Sequence, residues 1–363
     1  MNNIRLEVNG SLYSGWTGCT VNVGLMKLSR DFMVSFTRSQ GEKGLRIGIK
    51  IGDEVKVYID NDLIITGFVS NLTMSYSATS VGLNLTGFSK TVDLVDCQVP
   101  TGQPLSFKQV PIVQIIKAMA GHYGISVKDE ANATMVVNWD IAPTETIKSA
   151  LNKLLRQYSL MLTDNAYGEV VITKIGSRGK AFDTLETGVN ILSASYQLAG
   201  NTLFSDYVVI GQGANPDSER PVSDSQSYGR ARHNHSRKRF NVTTQSGDAN
   251  TADLQKRARL LRDFNVGSSE TYSCQVVGWR QSNGALWTTN QAVRVVDKFF
   301  DVDNYFLVSD VSFSLSESGT YTHLTLKPVG AFTSTDVKST ESAVKLSNRI
   351  KKSETSDTNW TSK

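Results

Sequence analysis

Two stretches of this chain, far apart in sequence, follow one plan of strands and turns. In the first, Glu54-Val55-Lys56-Val57 leads to a turn at Asp60-Asn61. Leu63 to Val69 follows, then a polar Ser/Tyr link, then Gly82-Leu83-Asn84-Leu85 before Gly87-Phe88. In the second, Ala292-Val293-Arg294-Val295 leads to a turn at Asp303-Asn304. Tyr305 to Val311 follows, then a polar Ser link, then Gly319 and Leu324-Thr325-Leu326 before Gly330-Ala331-Phe332. Self-similarity of this kind marks a repeated structural unit; chance likeness between short amphipathic strands is the competing account. Two related modules in one chain would let three copies present six, because closed rotational symmetry is the default for homo-oligomers. Such an assembly can join a threefold object to a sixfold one.

The rest of the chain divides around these modules. Residues 1–98 read as short strands with alternating apolar faces, such as Val55, Val57 and Ile59, which suits a small antiparallel barrel or sandwich. Gly102 and Pro104 punctuate a linker. Residues 99–187 then read as a compact α/β insert. Val110, Val113, Ile116, Met119 and Ala120 recur at helical spacing, and Ile147, Ala150, Leu151, Leu154, Leu155 and Tyr158 form a second stripe. Pro143-Thr144 marks the start of that second helix, with Thr144 as N-cap. Strands are expected at Thr134–Val137, Leu160–Thr163 and Glu169–Thr173. Residues 188–333 return to strands and hold a helix over Ala252–Phe264 and a polar, basic loop at 212–248. Residues 334–363 form a Ser/Thr/Lys-rich tail, with one weak helix around Ala343, Val344, Leu346 and Ile350 or no fixed structure. The fold class expected is therefore mixed and β-rich (α+β).

No arrangement of residues specifies catalysis. The chain lacks a phosphate loop, a dinucleotide-binding glycine fingerprint, a nucleophile elbow and a His-Glu-x-x-His helix. Asp93 and Asp96 are a carboxylate pair on a turn, with nothing to set their pKa values apart. His233 and His235 have no cysteine or carboxylate at ligand spacing, so a solvated loop is favoured over a metal site. Cys19, Cys97 and Cys274 are odd in number, widely spaced and set in apolar strands, which favours small buried hydrophobes over a disulfide framework. No catalytic, cofactor or metal residue is assigned. A net charge of +4 on 363 residues does not mark a dedicated nucleic-acid binder. Charge is concentrated, however, at Arg230, Arg232, Arg237, Lys238 and Arg239. That run is a solvated loop, a contact for an acidic partner surface, or a wall facing passing DNA. Trp279 and Trp287 flank Asn283-Gly284, a hairpin signal, and are candidates for a core or a subunit contact. The first residues have no basic and apolar leader, so synthesis in the cytoplasm is expected. No apolar run reaches the roughly 18 residues of a membrane span, so stable membrane insertion is not expected.

Three segments carry a family resemblance. They are Leu85-Thr86-Gly87-Phe88-Ser89-Lys90 through Asp93-Leu94-Val95-Asp96-Cys97, Val277-Gly278-Trp279-Arg280 through Gly284-Ala285-Leu286-Trp287-Thr288-Thr289-Asn290, and Ser318-Gly319-Thr320-Tyr321-Thr322-His323-Leu324-Thr325-Leu326 ending at Pro328 and Phe332. Val8-Asn9-Gly10 and Tyr13-Ser14-Gly15-Trp16 fit as well. Together they resemble the baseplate hub proteins of Mu-like contractile-tailed phages and prophages, of the Mu tail protein P type, over about residues 4–333. Phe88 departs from the family pattern, which favours Arg there, so any polar contact of that Arg is in doubt.

The resemblance implies a homotrimeric ring, similar to the hub of T-even phages, in which two β-barrel tube domains per chain make a pseudo-sixfold torus. It implies as partners the hexameric tail tube protein, the trimeric membrane-piercing spike and other baseplate proteins, with DNA passing through the lumen without specific binding. The location implied is the virion's tail baseplate. The alternatives are a cell-wall-degrading hydrolase of the injection machinery, a general DNA-binding protein and the hub of a type VI-like secretion spike.

Overall fold

The computed structural model describes residues 3–39, 48–78, 80–156, 158, 160–211, 227–245 and 251–332. The described residues are β-rich, with 49% strand and 17% helix. Described residues fall into two compact units, one within 1–155, 160–195 and 273–326 and the other within 156–159, 196–272 and from 327 onward. The expected tail helix and the outer parts of the 212–248 loop lie outside the described residues.

The first unit opens with seven strands: β1 (Ile4–Val8), β2 (Ser11–Tyr13), β3 (Gly18–Gly24), β4 (Asp31–Ser39), β5 (Glu54–Ile59), β6 (Asp62–Tyr76) and β7 (Ser80–Ser89). Near its end come β18 (Glu270–Val277), whose first three residues fall in the second unit, β19 (Ala292–Asp297), β20 (Val302–Ser316) and β21 (Gly319–Lys327). The echo in the sequence is an echo in space. β5 and β19 are 6 residues each, and β6 and β20 are 15 each. β7 and β21 alternate burial identically, residue for residue, over the 9 positions of β21. The two modules do not close separately. β3 pairs antiparallel with the second half of β20, from Asp310 opposite Gly24 to Leu315 opposite Cys19, and joins everything into one 13-stranded sheet. Its order is β14-β18-β21-β20-β3-β4-β7-β6-β5-β1-β2, where β14 is Ile191–Leu198; β19 lies beside β20, and β13 (Leu185–Glu186) beside β19.

Between the modules lies the α/β segment. It runs α1 (Val92–Asp96), β8 (Ser106–Pro111), α2 (Ile112–Gly121), β9 (Val127–Asp129), β10 (Val136–Asp140), α3 (Ile147–Arg156), β11 (Met161–Asp164) and β12 (Val170–Thr173). β12 is buried at every position and is the central strand, pairing β11 antiparallel on one side and β9 parallel on the other. Of the first expected stripe, Ile116, Met119 and Ala120 are buried on α2, where Ile112 and Ile115 complete the face, whereas Val110 lies in β8 and Val113 is only half-buried; of the second, Ile147, Ala150, Leu151, Leu154 and Leu155 are buried on α3, and Tyr158 lies beyond its end. The cap of α3 falls two residues after the expected Thr144. Thr146 Oγ1 accepts from Ser149 N at 3.4 Å, and Glu145 reaches the Ser149 hydroxyl and Lys153.

In the second unit, β15 (Asp206–Gly211) is central between β16 (Tyr228–Arg232) and β17 (Phe240–Gln245). One face packs on α4 (Thr251–Ser268) through Tyr207, Val209 and Ala231 against Leu254 and Ala258. Two segments of the 212–248 stretch expected to be a loop, Tyr228–Arg232 and Phe240–Gln245, are therefore strand. Gly229 lets helix and strand meet: a Cβ there would stand 2.1 Å from the backbone of Leu254. The Gln255 amide clasps the same spot, accepting from Arg230 N at 3.0 Å and donating to Arg230 O at 2.6 Å. Gly229→Ala is expected to force α4 outward and cost about 1–3 kcal/mol. Hydrogen exchange read by mass spectrometry should show lost protection over 251–268 and unchanged protection over β5–β7.

Candidate functional site

The basic residues are anchored, not loose. Arg230 and Arg232 alternate with Gly229 and Ala231 along β16, so both point to the face opposite α4. There Asp206 Oδ1 accepts from Arg230 Nη2 at 2.5 Å and Nε at 2.9 Å, with Arg232 Nε at 3.3 Å. These donors, Arg230 first and then Ser205, hold the Asp206 carboxyl below its usual range. Arg239 donates to the carbonyls of Gly200, Leu203 and Asn201 and lies 4.6 Å over the Phe204 ring. Arg237 and Lys238 are exposed. Three of the five cations therefore organise their own unit, and the other two are exposed.

Trp279 and Trp287 are both buried. Trp279 Nε1 donates to Ser314 O of β20 at 3.0 Å. Between the tryptophans, Gly284 takes φ +84° in a tight turn that Arg280 closes by donating to Gly284 O. The other arm of Arg280 reaches the turn of the first module, at 2.7 Å from Asp62 Oδ2 and 3.1 Å from Asp60 Oδ2. Because these groups are partly exposed, the bridge positions the turn more than it stabilises the fold.

A buried polar knot was not legible in the sequence. Asp164, at the end of β11, accepts from Arg30 N at 3.1 Å, Arg30 Nε at 3.2 Å and Ser89 Oγ at 2.6 Å. Arg30 also donates to Ile64 O and Asp164 O, and the Ser89 and Thr91 hydroxyls are 2.6 Å apart. Every group is used in tying the α/β segment to the first module, and none is left to act on a substrate.

Among the described residues no three His, Cys, Asp or Glu side chains gather as a metal site, and no helix is long and apolar enough to cross a membrane. His235 Nδ1 accepts from Arg237 N at 3.0 Å, which makes a local turn. The Asp93 carboxyl is raised by burial and then by Asp96. Cys19 and Cys274 are buried and free, and burial pushes the Cys274 thiol up to about 12. The exposed features among the described residues include a basic face anchored by Asp206 and apolar tips such as Phe299.

Known proteins share this organisation. Residues 3–89 match the family model described as Mu phage baseplate assembly protein GpP-like, N-terminal; residues 91–174 match baseplate hub protein gp44-like, second domain; and residues 250–335 match Mu phage baseplate assembly protein GpP, fourth domain. The chain is 25% identical over 344 residues to baseplate hub protein gp44 of Escherichia phage Mu, covering 91% of this chain and 89% of that protein. Its fold superposes on the 43 kDa tail protein of prophage MuSo2 from Shewanella oneidensis with a TM-score of 0.82 at 25% identity, covering 91% of this chain and 99% of that one. The tail protein from Neisseria meningitidis MC58 gives 0.77 at 22% identity, covering 93% and 99%.

Proposed function

This chain belongs to the Mu-type baseplate hub family, and from that premise we propose that three copies form the ring joining tail tube to spike in a contractile phage tail. A structural part of the phage tail baseplate is the coarse reading that the relatives carry. The ring itself rests on one observation: β5–β7 and β19–β21 are the same module twice within one chain. Three chains then supply six equivalent modules. One rim of such a ring matches a hexameric tube, while the threefold remainder suits a trimeric spike.

The segments 1–98 and 188–333 supply the tube-like parts in this reading, the second of them bearing the basic face, and 99–187 is the insert between them. Arg237 and Lys238 offer exposed positive charge to an acidic baseplate neighbour, while Trp279 and Trp287 act as core rather than contact. DNA passes through the lumen without sequence-specific binding. The protein works as a scaffold and carries out no chemistry.

Mass in solution tests this directly. Light scattering at micromolar concentration should give about three times the 39.8 kDa chain mass. A monomer would overturn the ring.

A further inference from the structure

The joint between the two modules is half of a pattern that the chain leaves unfinished. Within the chain, β3 covers the second half of β20, setting Val23 opposite Val311, Val21 opposite Phe313 and Cys19 opposite Leu315. The equivalent half of β6 has no such cover. The offset that carries Ser80 of β7 onto Gly319 of β21 carries Leu72, Met74 and Tyr76 onto Val311, Phe313 and Leu315. Val311 and Phe313 are 1% and 2% exposed, whereas Met74 and Tyr76 are 63% and 85% exposed. β5 pairs with β6 only as far as Phe68. Val69 still exchanges backbone hydrogen bonds with Gly52 and Asp53, and from Ser70 onward β6 pairs with β7 alone among the described strands.

The missing cover has a counterpart as well. β3 lies beside β4 with Val21 opposite Phe32 and Cys19 opposite Val34. β14 lies beside β18 in the same manner. The Tyr196 and Tyr272 rings are 6.1 Å apart, Ser193 Oγ donates to Gln275 Oε1, and Ala199 N donates to Ser269 O, all in one antiparallel register. Tyr272 and Cys274 are buried as Phe32 and Val34 are. Tyr196 therefore corresponds to Val21, Leu198 to Val23 and Ala194 to Cys19. β14 ends the sheet with its outer edge unpaired among the described strands, and Leu198 on it is 68% exposed.

We infer that β14 of one copy adds antiparallel to the Leu72–Tyr76 half of β6 in a second copy, repeating between chains the joint that β3 and β20 make within one. Leu198 then faces Leu72, Tyr196 faces Met74 and Ala194 faces Tyr76, each an apolar pair. Two edges of complementary kind, neither with a further neighbour among the described strands, lie on different strands of every copy, so the contact is head-to-tail, and it terminates only by closing into a ring. Pairing removes both edges, which would otherwise be open to non-specific strand addition. Resting on the hub reading, this closure gives six like joints, three within chains and three between.

A cysteine pair tests it in the full chain. Tyr76→Cys with Ala194→Cys, in a Cys97→Ser background, should on oxidation give a ladder ending at covalent trimer on a non-reducing gel. Each single substitution should give no trimer. Tyr76→Cys with Ser195→Cys should not link either, because a one-residue shift turns the side chain to the other sheet face. Met74→Glu with Tyr76→Glu alters two side chains already exposed in the single chain. It should keep the far-ultraviolet circular dichroism and weaken assembly at least about 100-fold, the consequence of burying unpaired charge. Trimer mass without the Tyr76–Ala194 link, or an undiminished trimer in the glutamate variant, overturns the edge pairing and leaves the trimer standing. Monomer mass of the unaltered chain overturns both.

Discussion

Asp164→Ala is expected to destabilise the protein by about 3–5 kcal/mol at neutral pH, measured by urea unfolding at fixed protein concentration. The Asp164 side chain has no exposure and that of Arg30 has 12%. Removing the carboxylate strands the Arg30 guanidinium without its counter-charge and leaves Arg30 N and the Ser89 hydroxyl short of an acceptor. Those unmet groups, rather than the attraction of the pair, account for most of the loss. Replacing both members, Asp164→Leu with Arg30→Met, should therefore cost less than Asp164→Ala alone. A double variant as unstable as the sum of its singles would show that the two residues do not act as a pair.

The same carboxyl sets a pH slope. Burial raises it above the ordinary carboxylate range, against the opposing pull of Arg30 and Ser89. A group whose folded pKa exceeds its unfolded one contributes stability that is complete on the acid side and declines as pH rises through the folded value. Asp164→Asn cannot titrate, so its stability should vary less over that rise than the parent's. An identical slope in the two proteins would assign it to other groups.

Local pattern carried much of the fold, and the exceptions share one cause. The strands of both modules and the faces of α2 and α3 are written in short-range alternation of apolar and polar residues, which needs no knowledge of the partner element. β16 was missed because its inward positions are Gly229 and Ala231, made small by the helix pressed against them. A hydrophobic pattern has no signal for a strand whose buried face is nearly side-chain-free. Likewise the Arg30–Asp164 knot spans 134 residues, and neither residue has a neighbour in sequence that announces burial. The β3–β20 joint is of the same kind. The sequence suggests two modules, but that they share one continuous sheet follows only from which edges meet. Trp279 and Trp287, large aromatics of the kind that anchor interfaces, are both interior. Met74, Tyr76 and Leu198 carried the less familiar signal, apolar residues on strands with one edge unmatched.

Trp279→Ala should cost about 3–5 kcal/mol, the usual range for emptying a buried aromatic site. The indole is locked at both ends. Gly278, at φ +73°, gives its N–H to Thr320 O and accepts from Thr322 Oγ1 at 2.6 Å, so the backbone beside the tryptophan is tied to β21. The ring N–H then crosses to Ser314 O on β20. Ser314 pairs with Thr20 in the joint between the modules, so Trp279 braces the half of β20 that β3 must recognise. Trp279→Phe separates volume from hydrogen bond: it keeps most of the apolar packing and deprives Ser314 O of a donor, for a loss of about 1 kcal/mol. Both variants should shift the urea midpoint without changing the slope of unfolding free energy with denaturant. Exchange protection in β3 and in the second half of β20 should fall ahead of that in β5–β7, because the brace acts on the intrachain joint and not on the first module. Equal loss of protection in all of them would mean that the indole stabilises the sheet as a whole.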